Sequence, residues 1–446
     1  MYKKSSEELM KWNSSVSYLK FQKKLNSADN FNAQISYTNY NAVMMATEEY
    51  KDLEDKSQNT FSSQKISSKI NDFAGKIYYE TQGFLSGKTK LGAEYIYHIL
   101  TPSEVIIEND TELIMQVNKV YKGNEYAFFV DYKQTILEKL ELNLGFRYSF
   151  YSTANFSYAV PEPRFSALYT LSPNHSLKAA FTKNAQYMHM LSNFSVGMPN
   201  DAWVPVTNEI PFQTAYQYNL GYSFQNTKIN SDFGIEVFYK TFDNQIDFIA
   251  NLSLLTPYAN WENTVAKNGL GRAKGIELWW HKSFGDLNGW LAYTWSNSER
   301  KFDEINSGKW FPFKYDRRHD FSATVSYLML RNLTVSATWV YATGNAVTLP
   351  VGVYEKFDEQ GLKTGSVLMY SDRNMQRMPL YHRLDLGAKY TKKKSWGELS
   401  YCFDIYNAYN RQNAYYFTVD QSLGEYKLYQ RSLFPILPTA GIEFKF

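Results

Sequence analysis

The ten residues from Ala215 to Phe224, AYQYNLGYSF, decide the class of fold. Every even position in this stretch is large and apolar or aromatic, while the odd positions are Ala, Gln, Asn, Gly and Ser. Successive side chains of a β-strand point to opposite faces of the sheet. The period of two therefore predicts a strand with one apolar face and one polar face.

The same division recurs in at least four other stretches of the chain. It covers residues 141–150, 321–329, 383–390 and 398–405. In these stretches the charged residues occupy one face only. This alternation fits either a β-sandwich, whose apolar faces form a core, or a barrel, whose apolar face meets lipid.

Composition favours the barrel over the sandwich. The 446 residues include 37 Tyr, 30 Phe and 10 Trp, and no run approaches the length of about 20 apolar residues that a spanning helix needs. A dry core would leave many tyrosine hydroxyls unpaired, at a cost of about 1–3 kcal/mol each. At the rims of a membrane barrel these hydroxyls meet water.

The connections between the predicted strands alternate in length. Short turns are predicted near residues 27–30, 173–174, 226–228, 285–286, 331–332 and 392–394, and long loops over roughly 43–60, 184–211, 244–270, 344–378 and 412–432. Short periplasmic turns and long extracellular loops are typical of outer-membrane barrels. We therefore predict an all-β chain that forms a large antiparallel transmembrane β-barrel of about seventeen strands over residues 14–446. Residues 1–13 are predicted to be a flexible or loop-like segment.

The two ends of the predicted barrel point the same way. The first predicted strand, Ser15 to Gln22, runs into a short turn, and the last, Pro438 to Phe446, follows a long loop. Two such strands could pair with each other only in parallel, whereas bacterial barrels are antiparallel and even-stranded. Because residues 1–12 also lack the apolar run of a signal peptide, we expect further strands to lie upstream of this chain.

Several longer segments resemble the barrel domain of TonB-dependent receptors, over the chain from about residue 14 to its end. They are PEPRFSALYTLSPNHSLKAAFTKNAQYMHMLSN (161–193), DAWVPV (201–206), GRAKGIELWW (271–280), PFKYDRRHDFSATVSY (312–327), PLYHRLDLGAKY (379–390) and SLFPILPTAGIEFKF (432–446). The residues Thr439, Gly441, Phe444 and Phe446 also resemble the C-terminal signal that the outer-membrane insertion machinery reads.

The resemblance implies a function as well as a fold. In that family a barrel of twenty-two strands encloses an N-terminal plug, substrate binds between loops and plug, and the inner-membrane TonB energy complex pulls on a short N-terminal box. We expect the plug, the box and about five strands to be absent from this chain. The implied protein lies in the outer-membrane lipid of a Gram-negative bacterium and imports a scarce small-molecule chelate, such as a ferric siderophore.

The candidate ligand contacts are residues of the long loops and of the segment that enters a strand at Asp320. Loops on a rigid scaffold commonly carry binding, and Arg presents a fork suited to carboxylates and phosphates. A packing role is the alternative for each loop residue, and a charge ladder in the lumen is the alternative for the arginines. The candidates are Asn184, Tyr187, His189, Trp203, Trp261, Arg317 and Arg318.

Other kinds of site lack support in the sequence. The six histidines show no metal-ligand spacing, the single Cys402 excludes a cysteine-based zinc site, and no catalytic constellation is present. Met188, His189 and Met190 form a soft-ligand triplet that loop packing explains at least as well as copper binding. We therefore predict no enzymatic activity, no cofactor and no metal site.

Two alternatives to the importer remain at this point. A passive diffusion porin would have the same wall around an open channel. A structural or adhesive protein would use its loops to bind a macromolecule. A net charge of +3 with interspersed signs gives no footprint for nucleic acid.

Overall fold

A computed structural model describes residues 2–52, 60–84, 87–109, 113–192, 201–249, 261–283, 285–422 and 425–446. Most of the described residues lie in β-strands, and two short 3-10 turns occur at Trp261–Asn263 and Asn306–Gly308. No helix in these ranges is long and apolar enough to cross a bilayer.

The described part of the chain contains 27 strands. In chain order they are β1 (Tyr2–Lys24), β2 (Asn30–Asp52), β3 (Thr60–Phe84), β4 (Gly87–Asn109), β5 (Leu113–Asn118), β6 (Tyr121–Ile136), β7 (Leu140–Ser152), β8 (Ser157–Ser172), β9 (His175–Gln186), β10 (Met188–Ser192), β11 (Asp201–Pro205), β12 (Gln213–Asn226), β13 (Ser231–Phe248), β14 (Val265–Lys282), β15 (Leu287–Lys301), β16 (Phe311–Pro312), β17 (His319–Leu330), β18 (Leu333–Ala342), β19 (Ala346–Val347), β20 (Pro350–Phe357), β21 (Lys363–Tyr370), β22 (Gln376–Arg377), β23 (Tyr381–Lys394), β24 (Gly397–Tyr406), β25 (Ala414–Ser422), β26 (Glu425–Ser432) and β27 (Leu437–Lys445).

One antiparallel sheet of 19 strands forms the wall of the molecule. Setting aside the short β5 and β16 leaves seventeen wall strands, and each pairs with the wall strands before and after it in the chain. The predicted count of about seventeen is therefore confirmed. Within the described residues, β1 pairs only with β2, and β27 pairs only with β24. Because seventeen is odd and every pair is antiparallel, these two edge strands run in the same direction.

The apolar face of the wall is its outer face, and it is exposed. On this face Ile35 is 63% exposed, Phe128 60% and Leu220 56%. These values exclude the sandwich, in which the same side chains would lie between two sheets. The buried apolar clusters instead involve the loops at one end of the wall. The predicted direction of the rings, away from the polar face, is confirmed.

The two ends of the wall differ as the connection lengths predict. At the end called here the turn end, β1–β2, β8–β9, β12–β13, β14–β15 and β17–β18 are joined by a few residues each. At the opposite end, the loop end, the long connections contain their own hairpins, namely β10–β11, β20–β21 and β25–β26. Parts of the predicted loops 43–60, 184–211, 244–270 and 412–432 lie outside the described residues.

Three boundaries predicted from the sequence differ from the structure. Residues 1–13 were predicted to be loop-like, but β1 begins at Tyr2 and pairs in register with β2 from Tyr2↔Asp52 to Lys24↔Asn30. The same pairing makes residues 43–52 a strand and not a long loop. The turn predicted at 392–394 follows β23, at residues 395–396. Backbone pairing with a neighbouring strand outweighs the polar composition of the first two segments.

Contacts at the loop end join distant parts of the sheet. The β10–β11 hairpin contacts β4 through β11 and β13 through β10. The indole nitrogen of Trp261 donates to the hydroxyl of Tyr121 at 3.0 Å, although the two residues follow β13 and begin β6. These contacts require a wall that curves around the loop end.

On the inner face, aromatic rings lie over glycines of the neighbouring strand. Trp279 lies opposite Gly234, and a Cβ atom at Gly234 would stand 2.2 Å from the indole ring. Gly221, on the adjacent strand, would meet its nearest atom only at 3.5 Å. Gly234 is thus required by the close approach of the ring, whereas Gly221 is not.

We expect Gly234→Val to lower the stability of the folded wall by about 1–3 kcal/mol, because Trp279 must leave its position. The measurement is the urea concentration at which half of the protein is unfolded. The folded fraction can be followed by gel electrophoresis, because folded and unfolded β-barrels migrate differently. Gly221→Ala is the control and should leave the midpoint unchanged. Equal midpoints for the two variants would contradict this account of the packing.

Candidate functional site

At the loop end, part of the long connections forms a folded unit that we call the cap. It consists of the β10–β11 hairpin, residues 206–212, and the segment around the 3-10 turn at Trp261–Asn263. Its apolar residues pack with residues of β13 and β14 in a buried cluster, which we call the loop core. The members are Leu191, Val204, Ile210, Ile246, Phe248, Trp261 and Val265. Because Val204 and Ile210 are 0% exposed, the cap is packed like the interior of a globular protein.

His189 fastens the hairpin to the wall. Its Nε2 atom lies 2.9 Å from the carbonyl oxygen of Pro211, which can only accept, so Nε2 carries the hydrogen. Its Nδ1 atom lies 2.6 Å from the side-chain amide nitrogen of Gln213 and accepts from it. Both ring nitrogens are thus engaged and the ring is 0% exposed. Burial lowers the pKa of His189 to about 4, so the ring is neutral at pH 7.

Tyr187 connects the cap to the inner wall. Its ring stacks on Tyr151 with centroids 4.9 Å apart and planes inclined by 13°. Its hydroxyl shares a hydrogen bond of 2.9 Å with Ser149, whose own hydroxyl donates to Glu162 at 2.6 Å. Tyr151 in turn lies over Gly123, where a Cβ atom would meet the Tyr151 hydroxyl at 2.1 Å. Tyr187 therefore has a packing role and is only 4% exposed.

A charged network, the Arg147 cluster, lies on the inner face below the cap. The Arg147 guanidinium contacts carboxylates of three other strands, Glu94 at 2.6 Å, Glu125 at 2.9 Å and Glu162 at 3.5 Å. His98 extends the network, since its Nδ1 atom is 2.8 Å from Asp72 and its Nε2 atom is 3.5 Å from Glu125. Arg147 and His98 together therefore link five consecutive wall strands, β3, β4, β6, β7 and β8, in one electrostatic network.

Two further clusters tie separate loops together, and each centres on a buried aspartate. In the Asp247 clamp, the Asp247 carboxylate is 2.8 Å from Arg373 and 3.7 Å from Arg300. The guanidinium of Arg300 also lies over the ring of Phe313, 3.8 Å from its centroid. Arg373 and Asp247 are 126 residues apart, so the clamp fixes the 343–380 loop to the end of β13.

The second of these clusters, the Asp316 clamp, also pairs one aspartate with two arginines. Asp316 is 2.5 Å from Arg377 and 3.9 Å from Arg318. The side chain of Asp316 is 0% exposed, whereas those of Arg377 and Arg318 are 35% and 36% exposed. In each clamp the named residues are two arginines and one aspartate. The clamps thus add positive charge to the loop end, and the guanidinium groups of Arg377 and Arg318 are partly exposed to solvent.

The predicted ligand contacts do not form one site. Tyr187, His189 and Trp261 are buried in the cap and its anchors. Trp203 is half-buried opposite Met190 in the hairpin, and Asn184 is exposed near the end of β9. Arg317 donates from Nε to the Asn345 side chain at 2.6 Å and is 41% exposed. Of the predicted contacts, Asn184, Arg317 and Arg318 thus present substantial polar surface.

The predicted insertion signal is part of the last wall strand. Thr439, Gly441 and Phe444 pair with Asp404, Cys402 and Leu399 of β24. The rings of Phe444 and Phe446 lie 6.1 Å and 5.6 Å from that of Trp396. The role of these residues in insertion stays a prediction.

The exposed charged groups of the loop end are suited to binding. Among the described residues, no group of three or more His, Cys, Asp or Glu side chains is arranged to hold a metal ion. His189 has no lone pair left for copper, because Gln213 donates to its Nδ1 atom. The residues that could hold a ligand are the exposed arginines, which suit anionic groups.

Acidification should loosen the cap. The pKa of His189 is about 4 in the folded chain against its usual 6.5, so the unfolded or opened form binds the proton more tightly. The contribution of neutral His189 to the stability of the cap is fully present above pH 6.5. It falls by about 1.4 kcal/mol per pH unit as the pH decreases toward 4. The protection factors of the β10–β11 amides, which correct for the slower intrinsic exchange at low pH, should therefore fall between pH 7.5 and pH 5. His189→Gln should abolish this fall, and an unchanged fall in that variant would exclude His189 as the cause.

Loss of the Arg147 guanidinium should destabilise the wall strongly. Arg147→Met leaves three carboxylates of low exposure without their central partner, which costs about 3 kcal/mol or more. Lys133→Met is the control, because the Lys133–Glu141 pair at 2.8 Å is exposed and is worth about 1 kcal/mol at most. Urea midpoints of the two variants provide the comparison. A midpoint for Arg147→Met as high as that for Lys133→Met would show that the cluster is not structural.

Solved structures resemble this chain in fold. The ferric-catecholate import receptor Fiu of Escherichia coli K12, in its closed form, is 13% identical with a TM-score of 0.61, over 98% of this chain and 64% of that one. The ferripyoverdine receptor of Pseudomonas aeruginosa, bound to ferripyoverdine, is 14% identical with a TM-score of 0.57, over 96% and 64%. BauA, the ferric preacinetobactin receptor of Acinetobacter baumannii, is 15% identical with a TM-score of 0.54, over 93% and 62%.

The chain thus spans less than two thirds of the length of these receptors. No curated protein matches its sequence. The family model described as TonB dependent receptor-like, beta-barrel, matches residues 5–410. This match covers most of the wall strands and the whole cap. The chain belongs to the TonB-dependent receptor-like β-barrel family.

Proposed function

We propose that the chain is the greater part of an outer-membrane receptor of a Gram-negative bacterium that imports a scarce nutrient chelate, a ferric siderophore, into the periplasm. The observation that carries this proposal is the packed cap across the loop end of a family barrel. The turn end then faces the periplasm and the loop end faces the outside. The resembling structures named for ferric chelates support the choice of substrate class.

The cap favours import over passive diffusion. A porin needs a continuous water-filled path, whereas the loop core buries apolar side chains in the mouth of the wall. Anchors at His189, Tyr187 and Trp261 hold that core in place. We infer that a solute passes this region only when the cap rearranges, as in energised transport.

The charge of the clamps favours an anionic ligand. The named residues of the Asp247 and Asp316 clamps are four arginines and two aspartates. Exposed guanidinium groups bind carboxylates and phenolate-type oxygens through paired, charge-assisted hydrogen bonds. Arg317 and Arg318 thus remain ligand candidates, and Arg377 joins them.

Energised transport requires partners beyond the described residues. We propose that a plug and further strands work with this chain, and that the TonB energy complex acts through the plug. The parallel edge strands β1 and β27 support this arrangement, because an odd number of additional antiparallel strands would close the wall.

Removal of the long loop 344–378 would not by itself test an adhesive function. This segment contains Arg373 and Arg377, which belong to the two clamps. Its deletion would therefore disturb the mouth and impair import as well as attachment. Substitution of single exposed arginines avoids this ambiguity.

The decisive measurement is uptake of radiolabelled iron from a panel of siderophores by cells that carry or lack the full-length gene. We expect loss of the gene to abolish uptake of at least one chelate, and loss of the TonB complex to do the same. Arg318→Gln should weaken binding of that chelate about tenfold, the loss of one charge-assisted contact. Lys363→Gln, which removes an exposed loop cation paired with Glu355, should leave binding unchanged.

Uptake that is unaffected by loss of the gene for every chelate would refute the importer. Uptake that requires the gene and persists without the TonB complex would support the porin. Equal binding by Arg318→Gln and Lys363→Gln would leave the importer standing and remove the Asp316 clamp from the ligand site.

A further inference from the structure

The outer face of the wall carries a groove near the turn end, across β12 to β15 and onto β17. Its volume is about 780 Å³, within the range of small-molecule pockets. Aromatic and aliphatic side chains form its walls and floor. We call it the outer groove, and its main lining residues are Tyr222, Phe224, Phe233, Ile235, Leu278 and Trp280.

The register of the strands arranges this lining in two rows. Phe224, Phe233 and Trp280 lie side by side on three neighbouring strands, in the row nearer the turns. Tyr222, Ile235 and Leu278 form the next row. Ile235 and Leu278 are 41% and 43% exposed, so the groove offers apolar surface that no described side chain covers. In the proposed orientation this surface lies in the periplasmic leaflet.

A cation stands at the turn-end limit of the groove. Lys282 follows Trp280 on the same face of β14, and its ammonium donates to the carbonyl oxygen of Ile229 at 2.8 Å. An ammonium has three hydrogens, so two remain for another acceptor. The nearby Asp232 and His281 lie on the opposite face, 3.8 Å from each other. The groove thus combines an apolar interior with a positive charge at the height of lipid headgroups.

His175 adds a second polar group on the other side. It begins β9 opposite Phe224, stacks on that ring at 4.7 Å, and shares a hydrogen bond of 2.6 Å with the hydroxyl of Tyr222 through Nδ1. The aromatic walls are therefore held in place by contacts of their own. Because the walls are already fixed, their side chains lose little conformational entropy when a flexible ligand binds. This favours tight binding of the ligand.

We propose that the outer groove binds one glycerophospholipid of the periplasmic leaflet, with an acyl chain between the aromatic walls and the phosphate at Lys282. Charge complementarity between the ammonium and the phosphodiester selects this occupant over a neutral lipid. The inference rests on the membrane orientation in the proposed function and is independent of the imported ligand.

The test uses the full-length protein purified from outer membranes, delipidated in detergent and titrated with phosphatidylglycerol. Native mass spectrometry then reports how many lipids remain bound. The wild type should retain one lipid. Lys282→Gln should bind it about tenfold more weakly through loss of one charge-assisted contact, and Ile235→Trp should reduce binding by filling the groove.

Lys392→Gln is the matched control, because Lys392 lies near the turn end of β23, with its ammonium 5.6 Å from the ring centroid of Tyr390 and away from the groove. It should bind lipid like the wild type, and altered gel mobility should confirm that all three variants are folded. No retained lipid, or equal weakening by Lys282→Gln and Lys392→Gln, would overturn the proposal. Chelate uptake by Lys282→Gln, measured in parallel, separates this result from failure of the importer.

Discussion

Hydrocarbon offers no hydrogen-bond partner to peptide groups, and this constraint governs the structure. The chain meets it with seventeen wall strands, of which only β1 and β27 have a single neighbour among the described residues. A sheet that satisfies its own backbone can present apolar side chains outward. The buried clusters are consequently found at the loop end, where water returns and loops must fold on one another.

The wall could be predicted from the sequence because lipid enforces the alternation of side chains. Stretches such as 215–224 have one face in hydrocarbon and one face in water, so apolar and polar residues alternate along the sequence. Residues 1–13 and 43–52 pair with each other at the loop end, where both faces meet water. Their amino-acid composition is therefore polar and mixed, like that of a loop. Only their backbone pairing shows that they are strands.

The site could be predicted only in part. The long loops were identified, yet the burial of Tyr187, His189 and Trp261 depends on folding of the loops over one another, which no local pattern records. The clamps were missed because they join residues up to 126 positions apart. The Arg147 cluster had a weak signal, since Glu125, Arg147 and Glu162 all lie on the polar face of their strands, but the pattern does not show that they meet.

The wall has an uneven height. Strands β1 to β4 have 23 to 25 residues each, whereas β17 and β18 have 12 and 10. At about 3.3 Å per residue, ten extra residues lengthen a strand by about 30 Å. The gain in height along the barrel axis is smaller, because the strands are tilted. In the proposed orientation the longer strands project beyond the loop end on one side of the wall. We therefore expect a bulky particle to approach the mouth less easily from the side of β1 to β4 than from the side of β17 and β18.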